Sequence, residues 1–138
     1  MKTTDFTGFE ELFNRTVEYR DCVLQEYEKG HVVVKTVVNE TDTNPYGMAH
    51  GGYLYTLCDN LAGILGYSLG SYTVSQQVSI SYIASAKNGD ELTLTGTCLH
   101  DGRSSKVCEV IVRGPEERLI CKATFTLFPL KKVEEEDQ

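Results

Sequence analysis

The feature that most constrains the fold is a glycine pair, Gly51-Gly52, directly before a long apolar run. Large aliphatic residues recur in that run with the spacing of one helix face, at Leu54, Leu57, Leu61, Ile64 and Leu65. The pattern predicts a helix over about residues 52–69, with Gly70 as its C-cap. The glycine pair would then lie at the helix N-terminus, where free backbone N–H groups and the helix dipole favour negative charge.

Two further glycines, Gly63 and Gly66, fall inside this predicted helix and lower its intrinsic stability. Glycine lacks a β-carbon, so a neighbouring backbone or side chain can approach closely at such positions. The two glycines therefore permit a close approach by another helix or strand.

Asp59 also stands inside the apolar helix, nine residues after His50. A carboxylate in such a place can act as a general base on water or as a direct nucleophile. The helix start offers the complementary group, because the N–H of Gly51 can stabilise the oxyanion of an acyl-transfer reaction. The alternatives are that Asp59 faces solvent or forms a structural pair, and that the glycines only permit a tight turn.

Alternating apolar positions and turn residues predict the other elements. An amphipathic helix is expected near residues 5–20, and a strand pair over 23–28 and 32–38. Four strands follow the central helix, at about 72–84, 91–100, 104–113 and 118–128. Consecutive hairpin-linked strands in the order α-β-β-α-β-β-β-β predict an α+β fold, an antiparallel sheet wrapped around a long central helix. Such a sheet leaves its edges exposed, so we expect at least a homodimer.

Length and composition predict one domain over residues 1–130, followed by a charged tail at 131–138. The net charge of -7 argues against nucleic-acid binding, which depends on cationic contacts to phosphates. No apolar run approaches the roughly 20 residues of a membrane span, and no signal peptide is visible. Five cysteines without a Cys-x-x-Cys pair indicate reduced, buried thiols. We therefore expect a cytoplasmic protein that binds neither membranes nor nucleic acid.

Other catalytic chemistries have weaker support in the sequence. The histidines at positions 31, 50 and 100 show no metal-ligand spacing, so no metal site is expected. No Gly-x-Ser-x-Gly motif and no cysteine–histidine pairing indicates a serine or cysteine nucleophile. We interpret Cys58, next to Asp59, as a packing residue.

Taken together, the element order, the loop from Asn44 to His50-Gly51-Gly52 and the acid at Asp59 resemble the hotdog-fold acyl-CoA thioesterases of the PaaI-like branch. The shared motif is an Asn six residues before His-Gly-Gly and an acid nine residues after the His. The resemblance covers roughly residues 22–128. It implies hydrolysis of an acyl-CoA thioester to the free acid and CoA, without a separate cofactor because CoA is part of the substrate.

The resemblance also implies a role for each residue of the motif. Gly51 would polarise the thioester carbonyl, and Asn44 would donate to that carbonyl or to the water. Asp59 would activate water or attack, and Ser75, where relatives often carry a hydroxyl, would orient the water. His50 would lie near the sulfur or fix the loop. Structural alternatives stay open, namely an Asx turn at Asn44 and purely structural roles for Ser75 and His50.

Two positions depart from the family pattern. Ser85-Ala86 stands where the family often has Pro-Ala, and Gly102-Arg103 is followed by Ser104 where a second basic residue is common. The second departure concerns the CoA-binding region. Arg103 and Lys106 are the first candidates for contacts to CoA phosphates, with plain surface charge as the alternative.

The spacing of Gly51 and Asp59 predicts a shared site. Eight residues on a continuous helix correspond to about 12 Å along its axis, whereas attack on a carbonyl needs roughly 3–3.5 Å. Two antiparallel helices in a homodimer, or in a homotetramer, could bring the two groups together. Three rivals remain, namely a non-catalytic acyl-CoA-binding sensor on the same fold, a hydratase and a structural dimer module. The sequence does not distinguish aromatic from medium-chain acyl groups.

Overall fold

The protein was described with a computed structural model, which covers residues 22–133. One helix, α1, spans Gly51–Ser68, and two short 3-10 turns lie at Glu40–Asp42 and Pro115–Glu117. The strands are β1 Val23–Glu28, β2 His31–Val37, β3 Ser71–Tyr82, β4 Glu91–Asp101, β5 Lys106–Arg113 and β6 Leu119–Lys132. The helix predicted near residues 5–20 and most of the predicted tail lie outside the described residues.

The six strands form one fully antiparallel sheet in the order β1-β2-β4-β5-β6-β3. The chain leaves the sheet after β2, forms α1, and returns through β3, which pairs with the last strand, β6. As a result β1 and β3 are the two edges. The predicted α+β architecture, an antiparallel sheet wrapped around a long central helix, is confirmed.

The core lies between α1 and the concave face of the sheet. Leu57, Leu61 and Leu65 on the helix are fully buried, which confirms the predicted apolar stripe. They belong to one cluster with alternating sheet residues such as Leu94 and Phe125. Burial of each large aliphatic side chain contributes about 1.5–3 kcal/mol, so this layer is the main source of stability.

The C-terminus of α1 is tied to the end of the sheet. The C-cap is Leu69 and not Gly70, which was the predicted cap. Gly70 follows the cap with a φ of 93°, the left-handed conformation common just after a helix, and its N–H donates to the carbonyl of Tyr67 at 2.9 Å. Its carbonyl accepts the N–H of Val133, also at 2.9 Å. Strand β6 reaches Lys132, beyond the predicted end at residue 128, because the ladder with β3 holds a segment that is polar in sequence.

The two interior glycines of α1 differ in their surroundings. A β-carbon at Gly66 would lie 2.5 Å from Oγ1 of Thr73 on β3, whereas one at Gly63 would have no atom within 4 Å. The predicted close approach of another element is therefore found at Gly66. At Gly63 the glycine instead leaves open space.

We expect Gly66→Ala and Gly63→Ala to change stability in opposite directions. Alanine favours a helix by up to about 1 kcal/mol over glycine, and Gly63→Ala gains this without a clash. At position 66 the stiff side chain of Thr73 must be displaced, so overpacking should cost about 1–3 kcal/mol and outweigh the gain. Urea unfolding at one fixed protein concentration measures both changes. Equal stabilisation by the two variants would contradict the close contact.

Candidate active site

Asn44 organises the loop that leads into α1. Its side-chain oxygen accepts the backbone N–H groups of Tyr46 at 2.9 Å and Met48 at 3.1 Å, which is the Asx turn left open above. The amide nitrogen is thus the free end of the side chain, and it has no partner among residues 22–133. Asn44 can therefore hold the loop through its side-chain oxygen while its side-chain nitrogen stays available to donate to a ligand.

Gly51 is the first residue of α1, and its N–H has no acceptor within the described part of the chain. This is the usual state of N–H groups in a first helical turn. The carbonyl of Gly51 accepts a hydrogen bond from the hydroxyl of Tyr82 at 2.8 Å. Tyr82, at the end of β3, was missed by the sequence analysis. No spacing relates it to the loop, since only the fold brings β3 beside the helix start.

Asn44, Gly51 and Tyr82 line a common cleft of about 310 Å³, which we call the loop cleft. Its other walls are apolar or small side chains from the loop, the helix and the segment after β3, namely Met48, Ala49, Leu54, Ile83, Ala84, Ser85 and Ala86. Gly51 lines this cleft, and an N–H without an acceptor at the positive end of a helix is suited to bind a carbonyl oxygen that gains negative charge.

Asp59 lies further along α1 than Gly51, and there it contacts Ser75 of β3. The hydroxyl of Ser75 donates to Oδ1 of Asp59 at 2.6 Å. The ladder between β3 and β6 shifts register between Ser75 and Gln77, a bulge of the kind that redirects side chains beside functional sites. Oδ2 of Asp59 has no donor among residues 22–133, so one carboxylate oxygen is fixed and the other is available to a proton.

Asp59 and Ser75 line a second cleft, of about 360 Å³, which we call the acid cleft. It runs along α1 past Gly63 and is walled by larger side chains, including Ile64, Tyr67, Tyr72 and Leu127. The open space at Gly63 belongs to this cleft. The loop cleft and the acid cleft share no residue.

The ring of His50 lies outside both clefts. The residue is exposed and precedes the helix, but its side chain makes no capping hydrogen bond. Its backbone N–H donates to the carbonyl of Asp42 at 2.9 Å, and its carbonyl accepts the N–H of Leu54 at 3.1 Å. His50 thus helps to hold the loop through its backbone.

Arg103 and Lys106, the predicted phosphate contacts, line a third cleft of about 630 Å³, together with Lys131 and Lys132. We call it the basic groove. Only 7% of the Lys106 side chain is exposed, and its ammonium already donates to the carboxylate of Asp101 and, at 3.4 Å, to the carbonyl of Gly102. Arg103 is exposed. Lys131 and Lys132 were not predicted as phosphate contacts, because the sequence placed them in the charged tail.

Cys58 is unsuited to act as a nucleophile, which agrees with its interpretation as a packing residue. It is fully buried, and the hydrogen bond with Cys121, followed by burial, raises the pKa of its thiol well above the usual value. Within residues 22–133 no cluster of His, Cys, Asp and Glu has the arrangement of a metal site. The same part of the chain contains no helix that could cross a membrane.

The continuous helix separates the two halves of the candidate site. Gly51 and Asp59 both belong to the 18-residue helix Gly51–Ser68. Their eight-residue separation therefore corresponds to about 12 Å along the axis. Within one chain, Gly51 therefore lines the loop cleft and Asp59 lines the separate acid cleft.

Comparison with known proteins gives a family and close structural relatives. Residues 46–121, more than half of the chain, match the thioesterase superfamily. A Streptococcus mutans protein solved bound to acetyl CoA is 44% identical, with 82% of this chain and 91% of that chain covered and a TM-score of 0.81. A hypothetical thioesterase protein of Streptococcus pneumoniae, solved with coenzyme A, is 39% identical, with 94% of this chain and 100% of that chain covered and a TM-score of 0.86.

Two further structures of the pneumococcal protein carry single substitutions to alanine, one of an aspartate and one of a threonine sixteen residues later. PaaI of Escherichia coli has the same fold, with a TM-score of 0.87 over 93% of this chain and 94% of that chain at 18% identity. The match to the family model, together with this shared architecture, shows that the chain belongs to the thioesterase superfamily and has the hotdog fold of its PaaI-like members.

Proposed function

We propose that the protein hydrolyses an acyl-CoA thioester to the free acid and CoA, at sites shared between two protomers. Each site combines the loop cleft of one protomer with the acid cleft of its partner. The observation that carries this proposal is the separation of Gly51 and Asp59 along one continuous helix. A site that needs both groups within a few ångströms requires two chains.

In the proposed reaction, the N–H of Gly51 binds the thioester carbonyl and then the oxyanion that forms from it. Oδ2 of the partner's Asp59 takes a proton from water while the water oxygen bonds to the carbonyl carbon. The tetrahedral intermediate collapses, the carbon–sulfur bond breaks, and CoA leaves as a thiolate that is then protonated. Direct attack by the same carboxylate is the variant of this scheme in which Asp59 is the nucleophile. No cofactor is needed, because CoA enters as part of the substrate.

The remaining site residues support these two groups. The hydroxyl of Ser75 donates to Oδ1 of Asp59, which leaves Oδ2 free to accept the proton of the attacking water. The free amide nitrogen of Asn44 would donate to the carbonyl or to the attacking water. The ring of His50 lies outside both clefts, so the proposal gives it no proton-transfer step.

Two similarities support this assignment. The Streptococcus structures contain acetyl CoA or coenzyme A. The aspartate and threonine substituted in the pneumococcal protein are sixteen residues apart, as are Asp59 and Ser75 here. A sensor that only binds acyl-CoA has no need of a carboxylate held by a hydroxyl beside the cleft.

The edge strand β3 offers the dimer contact. Among residues 22–133 no strand pairs with its outer side. Val74 and Tyr82 of β3 and Ile83 just after it are about half exposed, at 49%, 51% and 54%. Two β3 edges paired antiparallel about a two-fold axis would continue the sheet from one protomer to the other. The two α1 helices would then run antiparallel side by side. We therefore propose a homodimer as the smallest active unit, with a homotetramer of such dimers also compatible.

The basic groove suits the phosphate groups of CoA. It collects four of the chain's 13 lysine and arginine residues on a protein whose net charge is -7. Lys106 is neutralised by Asp101, so Arg103, Lys131 and Lys132 are the available cations. The groove adjoins the acid cleft at Tyr72, over whose ring Nζ of Lys131 lies 5.4 Å from the centre. We propose these three side chains as the phosphate contacts.

Removing these charges should weaken binding of the carrier and spare the chemistry. Lys131→Ala and Lys132→Ala should each raise KM for an acyl-CoA by up to about fivefold, because an exposed ion pair contributes at most about 1 kcal/mol. Acyl-N-acetylcysteamine, which lacks the phosphates, should be hydrolysed as by the wild type. Lys122→Ala, on the same strand but outside the groove, is the matched control. Equal effects on both substrates would exclude the phosphate role.

Asp59→Asn should lower kcat by about 100-fold or more, since asparagine keeps the size of the side chain but cannot accept the proton. KM and the melting temperature should change little. Ser75→Ala should have a smaller effect, because it removes an orienting bond and not the base. Glu91→Gln, at an exposed carboxylate outside both clefts, serves as the control. If Asp59→Asn keeps more than half of the wild-type kcat, the assignment of the base is wrong.

Mixing two inactive variants tests the shared site. Asn44→Ala damages the loop half of a site and Asp59→Asn damages the acid half. In a mixed dimer, one site receives both defects and the other receives none. Random reassortment after co-refolding equal amounts makes about half of the dimers mixed, so activity should return to roughly a quarter of wild type for independent sites.

The control for this experiment mixes Asp59→Asn with Asp59→Ala, which damage the same half and should restore nothing. A tagged subunit shows that exchange has occurred. Confirmed exchange between Asn44→Ala and Asp59→Asn without recovery of activity would refute the shared site, even for a protein that hydrolyses thioesters.

A further inference from the structure

Tyr82 occupies the space that a side chain at position 51 would need. A β-carbon built on Gly51 would lie 3.2 Å from Cζ and 3.3 Å from the hydroxyl oxygen of Tyr82. These distances are shorter than ordinary contacts between a β-carbon and its neighbours. The same hydroxyl donates to the carbonyl of Gly51 at 2.8 Å. The ring of Tyr82 and its hydroxyl therefore both contact Gly51, the residue that we propose as the oxyanion donor.

The backbone of Gly51 does not by itself require glycine. Among residues 22–133 the glycines with positive φ are Gly30, Gly47, Gly70 and Gly89, and Gly51 is not one of them. An alanine could adopt the same backbone angles without strain. The obstacle to a side chain at position 51 is the ring of Tyr82.

Position 51 also needs an external restraint. A glycine pair at a helix start has the greatest backbone freedom of any dipeptide, and the first turn has few hydrogen bonds of its own. Tyr82 is the terminal residue of β3 and is held in the sheet opposite Cys121 of β6. It can therefore transmit the rigidity of the sheet to the helix start. Desolvation raises the pKa of Tyr82 above its usual value, so the hydroxyl is a donor at neutral pH.

We propose that Tyr82 is a positioning residue for the oxyanion donor, and that position 51 is glycine to admit its ring. The inference rests on the proposed function of Gly51. Through its bond to the carbonyl of Gly51 and the contact of its ring beside the α-carbon, Tyr82 restrains residue 51 in the wall of the loop cleft, and with it the N–H that we propose as the oxyanion donor. A misplacement of about 1 Å in such a donor costs on the order of 100-fold in rate, so the bond matters for catalysis more than for stability.

Tyr82→Phe tests the hydrogen bond, because it keeps the ring and removes the hydroxyl. We expect kcat to fall about tenfold or more, with KM and melting temperature close to those of the wild type. Tyr46→Phe, at a tyrosine of the preceding loop that is 83% exposed, should leave kcat unchanged. A rise in KM without a fall in kcat would make Tyr82 a substrate contact and overturn the proposal. Retention of more than half of the wild-type kcat would overturn it as well.

A double-mutant cycle tests why position 51 is glycine. Gly51→Ala in the wild type should lower kcat, because the new methyl group would lie 3.2 Å from Cζ of Tyr82 and push the ring and its hydroxyl out of place. In a Tyr82→Ala background the same substitution should cost almost nothing, since the ring is gone. Gly52→Ala, where a β-carbon meets no atom within 4 Å, should cost less than Gly51→Ala. Additive effects of Gly51→Ala and Tyr82→Ala would refute the spatial explanation.

A measurement without substrate separates this inference from the proposed function. In protein labelled with 15N-glycine, the order parameter of the Gly51 amide should fall in Tyr82→Phe, while that of Gly96 in the core should not change. An unchanged Gly51 amide would refute the positioning role. If the wild type hydrolyses no thioester but the Gly51 amide responds, the proposed function fails and the contact with Tyr82 stands.

Discussion

The packing of α1 against the concave face of the sheet is the interaction on which the rest of the structure depends. It supplies the buried layer of Leu57, Leu61 and Leu65 on a continuous helix of 18 residues. A continuous α-helix has a nearly constant rise per residue. The same packing that makes the protomer stable therefore keeps Gly51 and Asp59 about 12 Å apart along the axis in one chain. The hydrolysis that we propose then depends on two protomers.

Strand β3 sets the position of both halves of the site. Near its middle, Ser75 binds Asp59, and at its end, Tyr82 binds Gly51. The strand runs antiparallel to the helix, so the two hydrogen bonds pin the helix at two points. Because β3 is also a sheet edge, one element contacts both candidate residues of the helix and carries the surface at which we propose the dimer contact.

The net charge of the protein does not show how its charged residues are distributed over the surface. The chain is acidic overall, yet the β4–β5 turn and the end of β6 bring Arg103, Lys131 and Lys132 together in one groove. Lys106 lies beneath them with its charge already paired to Asp101, and so shapes the turn. A negative net charge argues against binding of a long polyanion such as a nucleic acid. It does not argue against a small anionic ligand that a few local cations hold.

The sequence by itself determined the element order, the buried stripe of α1, its end shortly before Gly70, and the motif of Asn44, Gly51 and Asp59. These features follow from local rules, since periodicity records which face is buried and glycine marks special backbone positions. Only the tertiary structure decided that β3 pairs with β6, that Tyr82 reaches Gly51, that Lys106 is neutralised, and that Lys131 and Lys132 belong to the sheet. Each of these depends on contacts between segments distant in the chain. A local pattern shows that a residue is buried or exposed, but the neighbour it meets depends on strand order and register.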